Sequence, residues 1–337
     1  MLKIGMASYW HVHAGDYARQ VEAHPLTELA AVWDEDPKRG HAVAEVKGIK
    51  FFESYKDMLA EVDAVIIDTP TTMHEEVLIA AAEAGKHIFT EKVIAPTWKE
   101  VRAILDAVEA NGVKLMVSLP RLYFGYTLAV REVVENHRLG QVTLVRSRLS
   151  HNGAIPTDQS PTGWLPAHFF NKEQCGGGAM IDLGCHPMYL VRLLLGMPDT
   201  VSATYGHITG REVEDNAVSV LQYNHGAIGI VEAGFVNRFS PFALEVHGTE
   251  GSLLYSTHDE KMIIRSTAMG QEYVDEWKVN VPVPQDDKTA FEQWIDHINN
   301  GTEAVENIQL AADLTKLMEA SNRSVSESRA IAIRELA

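Results

Sequence analysis

Short runs of consecutive apolar residues alternate with stretches of helical spacing over the first 118 residues. Residues 2–7, 28–33, 49–52, 64–68, 87–90 and 114–118 read as strands. Residues 13–23, a segment around 42–45, 55–60, 74–84 and 98–111 read as helices, the last two stopped by Gly85 and Gly112. Strands this uniformly apolar are buried on both faces, and their alternation with helices predicts βαβ units in a doubly wound parallel sheet. After about residue 120 the pattern changes. A helix is predicted at 127–137, closed by Leu139-Gly140, and one strong helix at 179–195, ended by Gly196. Around it lie longer, more alternating strands at 142–150, 200–207, 217–223, 227–235, 243–247, 252–256 and 261–265, and then helices at 288–299 and 308–321. Asn224-His225-Gly226 is a hairpin signal. This half reads as α+β, an open, mostly antiparallel sheet covered by helices. The expected domains are 1–120 and 121–337.

Length and charge narrow the picture. At roughly 150 residues per domain, 337 residues agree with two domains. The net charge of −17 repels phosphate backbones and anionic lipid heads, so neither nucleic acid nor membrane is expected as a partner. Two cysteines, Cys175 and Cys185, are too few for a disulfide framework. The N-terminus enters a strand-like run with no basic and apolar leader, and the expected location is cytoplasmic.

In dinucleotide-binding folds the first strand ends in a glycine-rich turn that lets a pyrophosphate approach a helix N-terminus. Here that turn is Ser8-Tyr9-Trp10-His11-Val12-His13, and the three fingerprint glycines fall on Ser8, Trp10 and His13. Ser8 is suited to cap the following helix. Trp10 bars the close approach that glycine allows, so a pyrophosphate would sit differently or bind more weakly. Asp34 ends the second strand, where an acid accepts hydrogen bonds from adenosine ribose hydroxyls and repels a 2′-phosphate. Position alone leaves Asp34 evenly divided between that role and a solvated loop acid.

Two clusters carry chemistry. The first is Thr69-Pro70-Thr71-Thr72-Met73-His74 with Gly85-Lys86-His87 through Glu91-Lys92. Each part follows the carboxyl end of a parallel strand, where open α/β sheets bind ligands. A Glu-Lys pair there can orient a hydroxyl, although most such dipeptides are surface ion pairs. The second is Gly176-Gly177-Gly178 through Asp182 and His186. Asp182 and His186 are four residues apart on one helix face, where a carboxylate raises the basicity of an imidazole. The bland alternative is a helix hydrogen bond or a satisfied core histidine.

With Leu139-Gly140 and Gly248-Thr249-Glu250-Gly251, these clusters make the chain resemble the Gfo/Idh/MocA family of glucose-fructose oxidoreductases and inositol dehydrogenases. The family carries T-P-N-x-x-H, A-G-K-H-V-x-x-E-K-P and G-G-G-x-x-x-D-x-G-x-H in this order. The resemblance implies a Rossmann domain and an α/β domain whose open sheet supports a homodimer or homotetramer. It implies NAD(P), with Asp34 favouring NAD, and oxidation of a ring hydroxyl of a sugar or inositol. Lys92 matches the lysine that bonds the reacting hydroxyl, and Asp182 and His186 match the substrate-binding acid and the proton acceptor. Ser8, Tyr9, Trp10, His11, Asp34, Thr69, Pro70, His74, Glu91, Lys92 and Arg121 would face the cofactor. Tyr123, His151, Trp164 and His168 are candidates for the sugar pocket. Two further departures are Thr71 for asparagine and Val93 for the proline after Lys92. A cis peptide is readily formed before proline and disfavoured before valine, so Lys92 is expected to sit differently.

Four other readings compete with this one. Some family members break glycosidic bonds by transient oxidation, and others are non-catalytic sensors. His11-x-His13 resembles the metal pair of amidohydrolase barrels, but such a barrel needs parallel strands throughout, and a zinc site needs three or four convergent ligands; no metal is expected. Cys185-His186 suggests a thiol nucleophile, against which Cys185 reads as a buried small residue.

Overall fold

The structure, a computed structural model, describes residues 1–279 and 281–336. The chain opens with β1 (Leu2–Ala7), α1 (Ala14–Ala23), β2 (Thr27–Trp33), α2 (Pro37–Lys47), β3 (Lys50–Phe51), α3 (Tyr55–Glu61), β4 (Ala64–Ile67), α4 (His74–Glu83), β5 (His87–Thr90), α5 (Trp98–Asn111) and β6 (Leu115–Val117). The six strands form one parallel sheet in the order β3-β2-β1-β4-β5-β6. β4 is buried at every position, as a strand covered on both faces must be. The order reverses between β1 and β4, and that switch point is where such sheets take ligands. α5 shows how local signals set an element. Thr97 and Glu100 form a capping box at its start, and Gly112 ends it at φ +62°, a left-handed conformation suited to glycine.

The next segment holds α6 (Gly125–Glu135), β7 (Val142–Ser150), α7 (Lys172–Cys175), a π-helical turn at Met180–Gly184, α8 (Cys185–Leu195), six strands and α9 (Gln271–Asp275). The strands are β8 (Thr200–Gly206), β9 (Asn216–Gln222), β10 (Ile228–Gly234), β11 (Ala243–Gly248), β12 (Gly251–Ser256) and β13 (Lys261–Ser266). α10 (Ala290–Asn300), α11 (Val305–Glu327) and β14 (Ile331–Ala332) complete the described elements. The second sheet runs β13-β12-β11-β7-β10-β9-β8-β14. Its pairings are antiparallel except β7 with β10, which are parallel. β9 alternates exposed and buried positions, and α8 packs on β7 and β10. Hydrogen bonds from Tyr205, Ala203 and Ser219 to Asn322, Ser324 and Ser321 hold α11 over β8 and β9.

By its contacts the chain divides into two compact units, Met1–Leu119 with Lys288–Ala312, and Pro120–Asp287 with the chain from Asp313 onward. The second domain expected at 121–337 is therefore interrupted, because α10 buries its apolar face on the first sheet. Phe291 and Trp294 of α10 are buried beside Phe89 of β5, and Trp294 Nε1–H donates to the Lys114 carbonyl at 3.2 Å. Just beyond, Asn307 closes the edge of β6 as a strand would. It accepts from Val117 N–H and donates to the Val117 carbonyl, each at 2.9 Å. Asn307→Ala leaves both backbone groups unpaired in a buried place. It should cost about 2 kcal/mol, read as a lower urea midpoint at unchanged slope.

The strong helix expected at 179–195 is the main local difference. It splits into the π-helical turn and α8. Gly184 lies at the split, where a Cβ would come within 2.5 Å of Met180 Sδ and 3.2 Å of the Ala233 Cβ. π-turns of this kind are common where a helix carries functional groups. Among the described residues, no helix is long and apolar enough to cross a membrane.

Candidate active site

At the end of β1 the chain turns at Ser8, whose φ of +80° stands where glycine is usual. Ser8 Oγ accepts the Trp10 N–H at 3.0 Å. It does not cap α1 as expected, because five residues separate it from the helix and His13 holds the N-cap position. Trp10 is buried. The amides of this turn have internal acceptors. Tyr9 N–H donates to Asp34 at 2.9 Å, His11 N–H to the Asp68 carbonyl at 3.2 Å, and His13 N–H to His11 Nδ1 at 3.3 Å. Asp34 is buried, and its carboxylate also accepts Asp36 N–H at 2.8 Å and the Arg39 guanidinium at 2.6 and 2.9 Å. Arg39 further bonds Glu35 at 2.6 Å. Asp34 is thus not a solvated loop acid; its carboxylate accepts from the protein's own donors. The Tyr9 hydroxyl is buried without a hydrogen-bond partner.

The first cluster converges at the ends of β4 and β5. The Glu91 carboxylate is buried. Its Oε1 lies 2.9 Å from His13 Nδ1 and 3.6 Å from His11 Nδ1, and it bonds the Tyr17 hydroxyl, which reaches Ser118 Oγ at 2.6 Å. Its Oε2 accepts Lys92 N–H at 3.0 Å. Burial raises the pKa of Glu91, but the neighbouring imidazoles of His11 and His13 outweigh burial and hold it well below the usual carboxylate range. Asp68, at the tip of β4, shows the opposite shift. Burial, then the charge of Glu91, push it well above that range. Lys92 is buried as well, so the alternative of a surface Glu-Lys ion pair does not hold.

His74 ties the two loops together. Its Nδ1 faces the carbonyls of Val93 and Ile94 at 3.1 and 3.0 Å, and its Nε2 faces the Thr69 carbonyl at 3.2 Å. Both ring nitrogens therefore lie against backbone carbonyls of two loops. Burial lowers its pKa. Pro70 is buried, and Thr69 Oγ1 is buried without a partner. The Lys92–Val93 peptide bond is cis.

In the second unit the glycine run is pinned by an acid far along the chain. Glu214 is buried and accepts Gly178 N–H at 3.0 Å and Met180 N–H at 2.9 Å. A Cβ on Gly178 would lie 2.1 Å from the Glu214 carbonyl oxygen. This docking fixes the start of the π-helical turn that bears Asp182. Asp182 is half-buried and near enough to His151 to raise its pKa, although burial dominates and lowers it. His151 stacks on Phe235 at 5.2 Å and sits 4.6 Å from Trp164, which is 54% exposed. Asp182, His151 and Trp164 therefore gather on one side of this unit. His186, buried, has its Nδ1 3.1 Å from the Tyr189 hydroxyl, which in turn accepts Arg121 N–H at 3.0 Å. The Arg121 guanidinium bonds Tyr126 at 2.8 Å and lies over the Phe242 ring at 4.3 Å. Tyr123 is half-buried and accepts Asp287 N–H through its carbonyl, and His168 is half-buried beside Phe169. Cys185 is fully buried, as expected.

Sequence reasoning missed Tyr17, Ser118, Tyr189 and Glu214. Tyr17 and Tyr189 carried a signal, since they follow His13 and His186 by four and three residues and so share their helix faces. Glu214 and Ser118 carried none, because their partners are distant in sequence.

The comparisons bear on the family and the fold. Residues 4–119 match the family model of the oxidoreductase family with NAD-binding Rossmann fold. Residues 127–254 match that of the GFO/IDH/MocA C-terminal domain. Inositol 2-dehydrogenase of Rhizobium meliloti is 29% identical, over 94% of this chain and 95% of that protein. The scyllo-inositol 2-dehydrogenase (NAD(+)) of Bacillus subtilis is 29% identical, over 81% of this chain and 78% of that protein. Among solved structures, an NAD-binding protein from Listeria innocua superposes with a TM-score of 0.81 and 27% identity, covering 98% of this chain and 96% of that one. With both domain models matched in order and the parallel sheet followed by the mixed one, the chain belongs to the Gfo/Idh/MocA oxidoreductase family.

Proposed function

We propose that the protein is an NAD-dependent oxidoreductase that converts a ring hydroxyl of a sugar, sugar derivative or inositol to a ketone. The observation that carries this reading is the retention of Lys92, buried just after β5, together with Asp182 on the pinned turn and His186 at the start of α8. The inositol dehydrogenases named above support the substrate class.

A dinucleotide fits the first unit in part. The sheet has the required switch point, and the buried, unpartnered Thr69 hydroxyl is a group that a ligand would satisfy. The amides of Ser8, Tyr9, Trp10, His11 and His13, already paired, supply little to a pyrophosphate. Asp34, Glu35 and Arg39 carry one net negative charge at the end of β2, which disfavours a 2′-phosphate. When bound, the cofactor supplies the hydride acceptor. Lys92 donates a charge-assisted hydrogen bond to the reacting oxygen and stabilises it as it becomes an alkoxide. His186 takes the hydroxyl proton at Nε2 while its Nδ1–H is received by the Tyr189 oxygen. Asp182 accepts hydrogen bonds from neighbouring hydroxyls, and Trp164 offers an apolar face to the ring.

Calorimetry on protein stripped of nucleotide tests the cofactor reading. Micromolar binding of NAD is expected, with NADP weaker by about tenfold or more through like-charge contact. A panel of sugars and inositols should then give NADH absorbance with at least one member. Absence of binding by either nucleotide sinks the proposal.

A further inference from the structure

We propose that His11, His13 and Glu91 form a binding site for one divalent metal ion of the zinc class. The site lies wholly within the first unit, and its existence does not depend on the dehydrogenase reading. One ligand atom from each residue falls within 4.8 Å of the other two. A tetrahedral ion about 2.0–2.1 Å from its ligands holds them about 3.3 Å apart. From Glu91 Oε1 the separations are 2.9 Å to His13 Nδ1 and 3.6 Å to His11 Nδ1, on either side of that value, and an ion would take the His11 Nδ1 lone pair that otherwise accepts His13 N–H at 3.3 Å. Two imidazoles and one carboxylate are a donor set used by zinc sites that keep a position open. This revises the expectation of no metal, which rested on the want of a third ligand for the His11-x-His13 pair.

The surroundings supply what a metal site needs beyond its ligands. Glu91 is oriented by the Tyr17 hydroxyl on one oxygen and by Lys92 N–H on the other. Tyr17 is itself held by Ser118. An entry path exists on the His13 side, whose side chain is 42% exposed while that of Glu91 is 2% exposed. Independently, the Asp68 carboxyl at the tip of β4 is wholly buried with no hydrogen-bond partner on either oxygen, a polar group that a ligand bound at this end of the sheet would satisfy. An ion there would also place positive charge at the end of β1, where a glycine-rich turn normally meets phosphate and where the amides of this chain are already paired.

The test is titration of Zn²⁺ into chelator-treated protein by calorimetry, with Co²⁺ as a spectroscopic substitute. One ion per chain is expected, with micromolar or tighter affinity. His13→Ala should weaken it by at least about tenfold, and His41→Ala, at an exposed histidine outside the cluster, should leave it unchanged. Sub-stoichiometric or absent binding overturns the proposal, as does equal weakening by both variants. Should His13→Ala fail to fold, the Co²⁺-loaded wild-type protein decides. Paramagnetically shifted imidazole resonances from two histidines support the site, and their absence overturns it. Because metal binding is read without nucleotide, its failure is distinct from failure of the dehydrogenase reading.

Discussion

Substituting His186 by Asn is expected to lower kcat by about 10²- to 10⁴-fold, with a smaller change in KM, on whichever sugar or inositol the protein turns over. The size follows from the role. A positioned base is used as the proton leaves the hydroxyl, so its loss falls on the transition state more than on binding. Lys92→Ala should fall in the same range, since the ammonium bonds an oxygen whose charge grows during the step. Their pH profiles should part. The acid limb of kcat/KM, where the base is protonated, should flatten in His186→Asn and persist in Lys92→Ala. Tyr189→Phe should lie between wild type and His186→Asn, at about tenfold. It keeps the ring that packs beside His186 but removes the oxygen between Nδ1 and Arg121 N–H. Wild-type turnover in both His186→Asn and Lys92→Ala would defeat the mechanism. An unchanged Tyr189→Phe would free His186 from the positioning argued here.

Much of the first unit was legible because its strands are short, apolar and separated by capped helices. Gly112 and the Thr97–Glu100 box announce the limits of α5 before any contact is known. The parallel pairing of β7 with β10 was not legible, since alternation along a strand tells which face is buried and not which neighbour lies alongside. The motifs singled out Lys92, Asp182 and His186 as candidates, and the missing glycines were plain. What the turn amides found in exchange was hidden, because Asp34 and Asp68 reach them from other strands. The His11-x-His13 pair was visible as spacing, while Glu91 joins it from 78 residues away. That His74 also lies against the carbonyls of Thr69, Val93 and Ile94 was hidden, because those neighbours come from two separate loops.

Glu214→Ala is expected to destabilise the protein by about 3 kcal/mol and to reduce turnover together with stability. The substitution leaves the N–H groups of Gly178 and Met180 buried without an acceptor, at about 1–3 kcal/mol each. It also frees the glycine turn that sets Asp182. Glu214→Gln should lose about 1 kcal/mol or less, because Oε1 alone meets both N–H groups, at 3.0 and 2.9 Å, and an amide oxygen can take its place. Burial pushes the Glu214 carboxyl above the usual range against the pull of those N–H groups, so a neutral isostere suits the position. The sign of the pH effect follows. With the folded pKa raised, the folded state holds the proton more tightly than the unfolded chain. The resulting contribution is full below the unfolded carboxylate range and is lost as pH rises through the folded value. Glu214→Gln lacks that slope, so its stability relative to wild type should improve as pH rises across this window. Urea unfolding of the three proteins at several pH values measures both effects. Equal midpoints for the Ala and Gln variants would show that the hydrogen bonds to the turn do not hold it. Full turnover in a destabilised Glu214→Ala would show that Asp182 is placed by its own helix and not by this acid.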